Sequence, residues 1–178
     1  MRVIAGELGG RRLRVPRGDG TRPTADRARE GLFSSLQSLL DLDGAQVLDL
    51  YAGSGALGIE ALSRGAGGAT FVEQDPAAAA VIEANVAALG LVGARVVTSA
   101  VEAFLAGPPH PFDLVLADPP YDHDVAPALA AAVAWLLPGG VAAVERSSRD
   151  AALAWPEGLT GVRSRRYGEA TLWYGFRS

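Results

Sequence analysis

The chain has 178 residues, 49% of them apolar, a formal net charge of −4 and no cysteine. That length supports one domain with a real core and a small appendage. The missing cysteines exclude disulfides and thiolate metal sites. No apolar run reaches the roughly 18 residues of a membrane span, and the first residues carry no signal-like apolar segment, so a cytoplasmic protein is expected. His110 and His123 are too few for a histidine metal cluster, so no metal is expected either. All sixteen basic residues are arginine. Residues 1–30 hold eight of them against four acids, residues 31–161 four against fifteen, and residues 162–178 four against one. Basic ends on an acidic body point to a localised polyanion contact.

Residues 1–16 read as a basic β-hairpin. Val3–Ala5 and Arg12–Val15 are its arms and Gly9-Gly10 its turn. Residues 1–20 are thus expected to form an extension, and residues 21–178 the main domain. Thr24 is an N-cap candidate for a helix whose inward face carries Ala28, Leu32, Phe33, Leu36, Leu39 and Leu40. Arg22, Arg27 and Arg29 crowd the start of that helix, where its dipole disfavours cations, a hint of an anionic partner.

Strands and helices then alternate. The pattern predicts strands at Val47–Leu50, Ala69–Glu73, Ala94–Thr98, Phe112–Ala117 and Gly140–Glu145. Helices are predicted from Leu57 (with Ile59, Ala61 and Leu62), over Pro76–Leu89, over Val101–Leu105 and around Val125–Leu137. Phe112–Ala117 is almost wholly apolar, as a strand buried on both faces should be. Residues 161–167 and 170–176 form a closing hairpin across Gly168-Glu169. The fold class is therefore α/β, a doubly wound, mostly parallel sheet ending in an antiparallel hairpin, with ligands bound at the carboxyl ends of the strands.

Two stretches carry chemistry. Gly53-Ser54-Gly55-Ala56-Leu57-Gly58 follows the first strand and satisfies the dinucleotide pattern G-x-G-x-x-G, with Glu73 placed to hold ribose hydroxyls. This turn alone does not say which nucleotide binds. Asp118-Pro119-Pro120-Tyr121 follows the fourth strand. An exocyclic amine is conjugated with its base and is a poor nucleophile. A carboxylate and a proline-fixed carbonyl can accept its two N–H bonds and aim the nitrogen lone pair, while an aromatic ring stacks on the base, contributing about 1–3 kcal/mol.

D-P-P-Y after a fourth strand, with D-x-x-A-G-S-G after a first, resembles the class I S-adenosylmethionine-dependent amino-methyltransferases. Residues 6–16, 21–33 (T-R-P-T-A-D-R-A-R-E-G-L-F), 71–76, 83–85 and 113–121 extend the likeness over nearly the whole chain. Together they resemble the bacterial 16S rRNA guanine-N2 methyltransferase family of the D type. The resemblance implies a Rossmann-like class I sheet, S-adenosyl-L-methionine as cofactor, 16S rRNA (free or in a small subunit) as partner, and a monomer. It implies that Asp49, Tyr51, Gly53 and Gly55 surround the methionine portion of the cofactor. Glu73 would take the ribose hydroxyls, and Gln74, Ala100 and Val101 the adenine. Asp118, the Pro119 carbonyl and Pro120 would hold guanine N2, with Tyr121 stacked on a flipped base. Arg11, Arg12, Arg14, Arg22, Thr24 and Arg27 would meet RNA. Two departures stand out: serine at Ser99 where many relatives carry an acid towards the adenine, and Ala117 in place of a bulkier residue.

The remaining polar residues read more plainly. His123 is expected to be an exposed loop histidine, because the methylated product can lose its proton to Asp118 or water. Glu60 and Glu83 read as solvated helix residues, and Asn85 as either functional or a helix-to-loop tie. Three other readings stay open at this point: an adenine-N6 or cytosine-N4 amino-methyltransferase acting on DNA or RNA, a dinucleotide oxidoreductase, and a non-catalytic RNA-binding assembly factor.

Overall fold

A computed structural model describes residues 1–18 and 23–178. The reading of Arg22 falls outside the described residues, as does that of the Thr24 side chain. The elements in chain order are α1 (Pro23–Leu39), β1 (Gln46–Leu50), α2 (Ala56–Ser63), β2 (Gly68–Glu73), α3 (Pro76–Ala88), β3 (Ala94–Thr98) and α4 (Val101–Leu105). They continue with β4 (Phe112–Ala117), α5 (Ala126–Ala132), β5 (Leu136–Ser147), β6 (Leu159–Tyr167) and β7 (Ala170–Arg177). One seven-stranded sheet results, in the order β3-β2-β1-β4-β5-β7-β6. Its first five strands are parallel, and β7 pairs antiparallel with both β5 and β6. The expected fold class is therefore present. The strand order reverses between β1 and β4, which opens a crevice above their carboxyl ends.

Side-chain alternation along β1 sets the two faces of the sheet. Val47 joins the core under α1, α2 and α3, while Leu48 and Leu50 join the core under α4 and α5. Asp49 shares the Val47 face, and this acid is buried beneath α2. β4 is buried on both faces apart from Asp113, which accepts a hydrogen bond from the Gln46 amide at 2.8 Å.

Several boundaries differ from the sequence reading. α1 begins at Pro23, so Thr24 sits inside its first turn and is not the N-cap. The expected helix around Val125–Leu137 stops at Ala132, and a single 3₁₀ turn follows over Val133–Trp135. Pro138 cannot continue a helix, and Leu136 already pairs with Phe112, so β5 starts four residues early. At the amino end the arms meet through one antiparallel bridge, Arg2 to Arg12, and the pairing does not run on through Ile4 and Ala5.

The cause is Glu60. It is fully buried, not solvated. Its carboxylate accepts from the Ile4 amide at 2.9 Å and the Ala5 amide at 3.0 Å, which takes both donors away from any strand ladder. Arg64 donates to the same carboxylate at 2.9 Å. Ser63 binds Leu8 N at 2.9 Å, and a side chain at Gly6 (φ 80°) would run into the Ser63 carbonyl. Val3 and Leu13 of this arm enter the same core as Phe33 and Phe71.

Asn85 completes the attachment. It is buried, accepts from Arg14 N at 2.8 Å, and donates to Arg14 O at 3.0 Å and Ser54 O at 3.3 Å. Glu83 is exposed, as expected. Replacing Glu60 by alanine strands two amides and a nearly buried guanidinium. Breaking such a pair typically costs about 3–5 kcal/mol, so urea unfolding of Glu60→Ala should give an unfolding free energy lower by that amount, seen as a lower midpoint. An unchanged midpoint would mean that the arm is not held by this carboxylate.

Candidate active site

The crevice is a cleft of about 710 Å³ over the ends of β1, β2, β4 and β5. Its floor is the turn from β1 into α2. Tyr51 takes a left-handed φ of 56°, and Gly53 and Gly55 follow at 58° and 80°. Such backbone is unfavourable for a residue with a Cβ and concentrates at functional turns. Two carboxylates hold this turn. Asp49 Oδ2 accepts from the Gly58 amide in the first turn of α2 at 2.9 Å, and Glu73 Oε2 accepts from the Gly53 amide at 2.7 Å. The other Glu73 oxygen accepts from Asp75 N at 2.9 Å. The side of Gly58 lies against the Phe71 ring and the Asp49 carboxylate, so no larger residue fits there.

The opposite wall is the loop after β4. Pro119 is buried, while Asp118, Pro120 and Tyr121 are open to the cleft, Tyr121 at 62% exposure. The register pairs Ala117 with Val144, so the next residues, Asp118 and Glu145, emerge side by side from adjacent parallel strands. Asp118 touches the open space of the cleft yet is ringed by protein. That surrounding desolvates it and, with Glu145 and Asp49 adding repulsion, holds its carboxyl well above the usual range. Burial likewise raises Glu145. Asp49 is pushed up to about 8 by burial, with the Gly58 hydrogen bond opposing and Glu73 adding to the shift.

His123 is the knot of this loop. Its Nε2 lies 3.1 Å from both Tyr51 Oη and Glu102 Oε1. Its amide donates to Pro120 O at 3.0 Å, and its carbonyl accepts from Arg146 Nη1 at 2.9 Å. The expectation of an exposed loop histidine is thereby corrected: its side chain is one-third exposed and bridges β1, α4 and its own turn. Burial, followed by the neighbouring Glu102, raises the Tyr51 phenol to about 12.

Residues 1–175 match the family described as Conserved hypothetical protein 95. The chain belongs to this family. The Escherichia coli K12 protein named Ribosomal RNA small subunit methyltransferase D is 49% identical over 121 residues, 68% of this chain; the match spans 60% of that relative's length. Its Haemophilus influenzae namesake is 36% identical over 94% of this chain and 89% of its own. A solved E. coli structure described as a candidate methyltransferase, yhhF, superposes with a TM-score of 0.90 at 37% identity, covering 100% of this chain and 98% of that one. A Thermus thermophilus protein described only as hypothetical gives 0.79 at 34% identity, covering 98% of each chain. The fold is that of class I methyltransferases.

Within this family member, Asp49, Tyr51, Gly53, Glu73, Gln74 and Val101 all line the cleft, and so do Asp118, Pro119, Pro120 and Tyr121. Gly55 lies under the floor, 3.1 Å from Ile82 by its missing Cβ, and Ala100 stands at the start of α4. The Ser99 hydroxyl is turned onto the Ala100 carbonyl at 2.9 Å. Arg11, Arg12, Arg14 and Arg27 are exposed outside the cleft. Arg29, counted with the basic residues of α1, turns inward instead. It is buried, donates to the Arg2 carbonyl and pairs with Asp26 at 3.3 Å, and burial lowers its pKa.

Sequence reasoning missed Glu145, Arg146 and Glu102 as cleft residues. Glu145 was legible in principle, since it lies near the carboxyl end of the strand beside β4. Glu102 and Arg146 gave no signal, because only the fold brings them to His123. Removing the His123 ring deletes the one hydrogen bond that Nε2 can make between Tyr51 and Glu102, worth about 1 kcal/mol. His123→Ala should therefore speed amide exchange at residues 121–123 roughly fivefold with little change in global unfolding. Wild-type exchange there would show that the loop does not depend on the ring.

Proposed function

We propose that this chain is an S-adenosyl-L-methionine-dependent methyltransferase that places a methyl group on the exocyclic N2 of a guanine in small-subunit rRNA. The observation that carries this reading is the charge of the cleft. Six acidic side chains line it against three arginines, and the Gly53 amide that a pyrophosphate would need is already bound to Glu73. Asp49 Oδ1 is buried and accepts no hydrogen bond among the described residues. Carboxyls crowded above their ordinary pKa fit a ligand bearing positive charge, as a sulfonium with an amino group does, and oppose a pyrophosphate. This argues against the oxidoreductase reading of G-x-G-x-x-G. The relatives named as rRNA methyltransferases support the substrate class.

In this reading Asp49, Tyr51, Gly53 and Gly55 hold the methionine portion. Glu73 takes the ribose hydroxyls, and Gln74 with Ala100 and Val101 borders the adenine. The cofactor supplies an electrophilic methyl whose bond to sulfur breaks as the bond to nitrogen forms, leaving a thioether. The protein's own part is alignment. Asp118 and the Pro119 carbonyl accept the two amine N–H bonds, Pro119 and Pro120 fix the carbonyl, and Tyr121 stacks on the base. The Asp118 carboxylate can accept a hydrogen bond from the amine and afterwards take the proton released by nitrogen. Residues 1–20 form a basic extension in which Arg11, Arg12 and Arg14 meet RNA phosphates together with Arg22, Thr24 and Arg27. The protein acts as a cytoplasmic monomer on 16S rRNA, free or in a small subunit.

Incubation with labelled S-adenosylmethionine and rRNA, small subunits or DNA tests the reading. Label is expected at guanine N2 of rRNA. Label confined to DNA would favour the adenine or cytosine chemistry, and none anywhere an assembly factor. Asp118→Ala should lower turnover by about 10²–10³-fold, as loss of one preorganised group does, with cofactor binding retained. Unchanged turnover removes Asp118 from the site.

The raised Asp49 makes a second prediction. A positive ligand favours the ionised carboxylate, so binding lowers its pKa from about 8 and releases a proton at neutral pH. Affinity for S-adenosylmethionine should therefore climb as pH rises towards 8 and level off above it. Calorimetry in buffers of different ionisation heat should report the released proton. Asp49→Asn should flatten the pH slope, and a flat wild-type profile would refute the coupling.

A further inference from the structure

We propose that the exposed edge strand β6, with the neighbouring start of α1, is a second track for the RNA backbone, distinct from the arginines of the N-terminal arm. The inference rests on the reading of the protein as an RNA-acting enzyme. β6 is the outer strand of the sheet and is exposed along most of its length. Residues 162–178, which include most of it, hold four arginines against Glu169 alone.

Side-chain alternation assigns the faces. Arg163 Nη1 reaches Ser38 Oγ on α1 at 2.7 Å, and the Tyr167 ring closes on Gly31 of the same helix. Arg165, midway between them, therefore faces α1 as well, while Arg166 points to the other side. Gly31 is what allows the close approach, since a side chain there would collide with Tyr167. One turn earlier on α1, Arg27 is exposed and extends the same line of charge.

The placement along the strand matters as much as the charge. Register across β7 sets Arg165 level with Leu172 and Glu145, and Arg166 level with Thr171 and Arg146. These arginines thus stand at the height of the cleft mouth, on the side away from β3. Arg165 and Arg166 are exposed and donate only to nearby carbonyls, Ser164 O at 2.9 Å and Gly168 O at 3.1 Å. Among the described residues neither pairs with a carboxylate, and Glu169 is taken up by Arg149 at 3.7 Å. Charge on an edge strand also blocks sheet-to-sheet association. That role explains neither the line with Arg27 nor the position beside the cleft. Free guanidinium groups flanking a site that takes a flipped base match the phosphates on one side of it.

The test is binding of a transcribed small-subunit rRNA fragment as a function of salt, for the wild type, R165Q/R166Q, R165K/R166K and R11Q/R12Q. Folding is checked by circular dichroism. R165Q/R166Q should bind roughly tenfold more weakly at 0.1 M salt, with the slope of log K against log salt reduced by about one for each arginine–phosphate pair removed. Lysines at both positions should restore most of the affinity, since a phosphate accepts either cation. The KM for RNA should rise and the affinity for S-adenosylmethionine should stay at its wild-type value. If R165Q/R166Q keeps wild-type affinity and slope while R11Q/R12Q loses both, β6 does not touch RNA and the enzymatic reading stands. A wild type that neither binds the transcript nor methylates it overturns both.

Discussion

The cleft depends on two carboxylates that hold a glycine turn from beneath. Asp49 takes the Gly58 amide in the first turn of α2 and Glu73 takes the Gly53 amide. Both bonds satisfy backbone donors that the turn would otherwise leave unpaired. They give the turn a fixed shape although its residues adopt conformations that cost free energy, Tyr51 above all. They also change what the turn can bind. A glycine loop ordinarily offers bare amides to an anion, and here the Gly53 amide is spoken for by an acid, an arrangement that disfavours a phosphate at that amide.

Carboxyl crowding arises from the same arrangement. Asp49, Asp118 and Glu145 come from three neighbouring strands and converge on one space, and each is held above its normal pKa chiefly by burial. Natural proteins tolerate such an arrangement where function repays it, because perturbed titratable groups cluster at working sites. The nearest arginine on that wall, Arg146, does not neutralise them. It is committed to Asp150 at 3.1 Å and to the His123 carbonyl. Such crowding fits the positively charged ligand proposed for the cleft, and the loop that presents Tyr121 is tied down by His123, whose carbonyl takes Arg146.

Most of the architecture was legible because its signals are local. Period-two and helical patterns located every strand of the sheet, and the motifs at residues 53–58 and 118–121 pointed to the strand ends where the cleft lies. The failures have a common cause. Glu60 looked solvated because a glutamate on a short helix usually is, and His123 looked like a loop residue because its partners, Tyr51 and Glu102, are 72 and 21 positions away. A charged residue can be buried only when distant donors meet it, and single-sequence patterns carry no record of distant donors. Asn85 had two readings for the same reason. Its amide completes a bond to Ser54 O in the glycine turn and two to Arg14, a link visible only in three dimensions.

That link bears on how the basic arm relates to the chemistry. The arm is anchored at Glu60 and Ser63 on α2, at Asn85 on α3 and, through the Arg2 carbonyl, at Arg29 on α1. α2 begins directly after the glycine turn, and Asn85 touches that turn itself. Met1 lies within 3.5 Å of the Ser54 hydroxyl and, with Pro16 and Arg17, forms part of the cleft rim. A load placed on Arg11, Arg12 or Arg14 would therefore be transmitted to the cleft floor through buried hydrogen bonds. Such a link does not create two-state coupling, since a rigid connection has no second state to shift to. Its effect is positional: the arm's arginines and the cleft floor belong to one rigid unit, so in the proposed reading phosphates bound by the arm would set where a base enters.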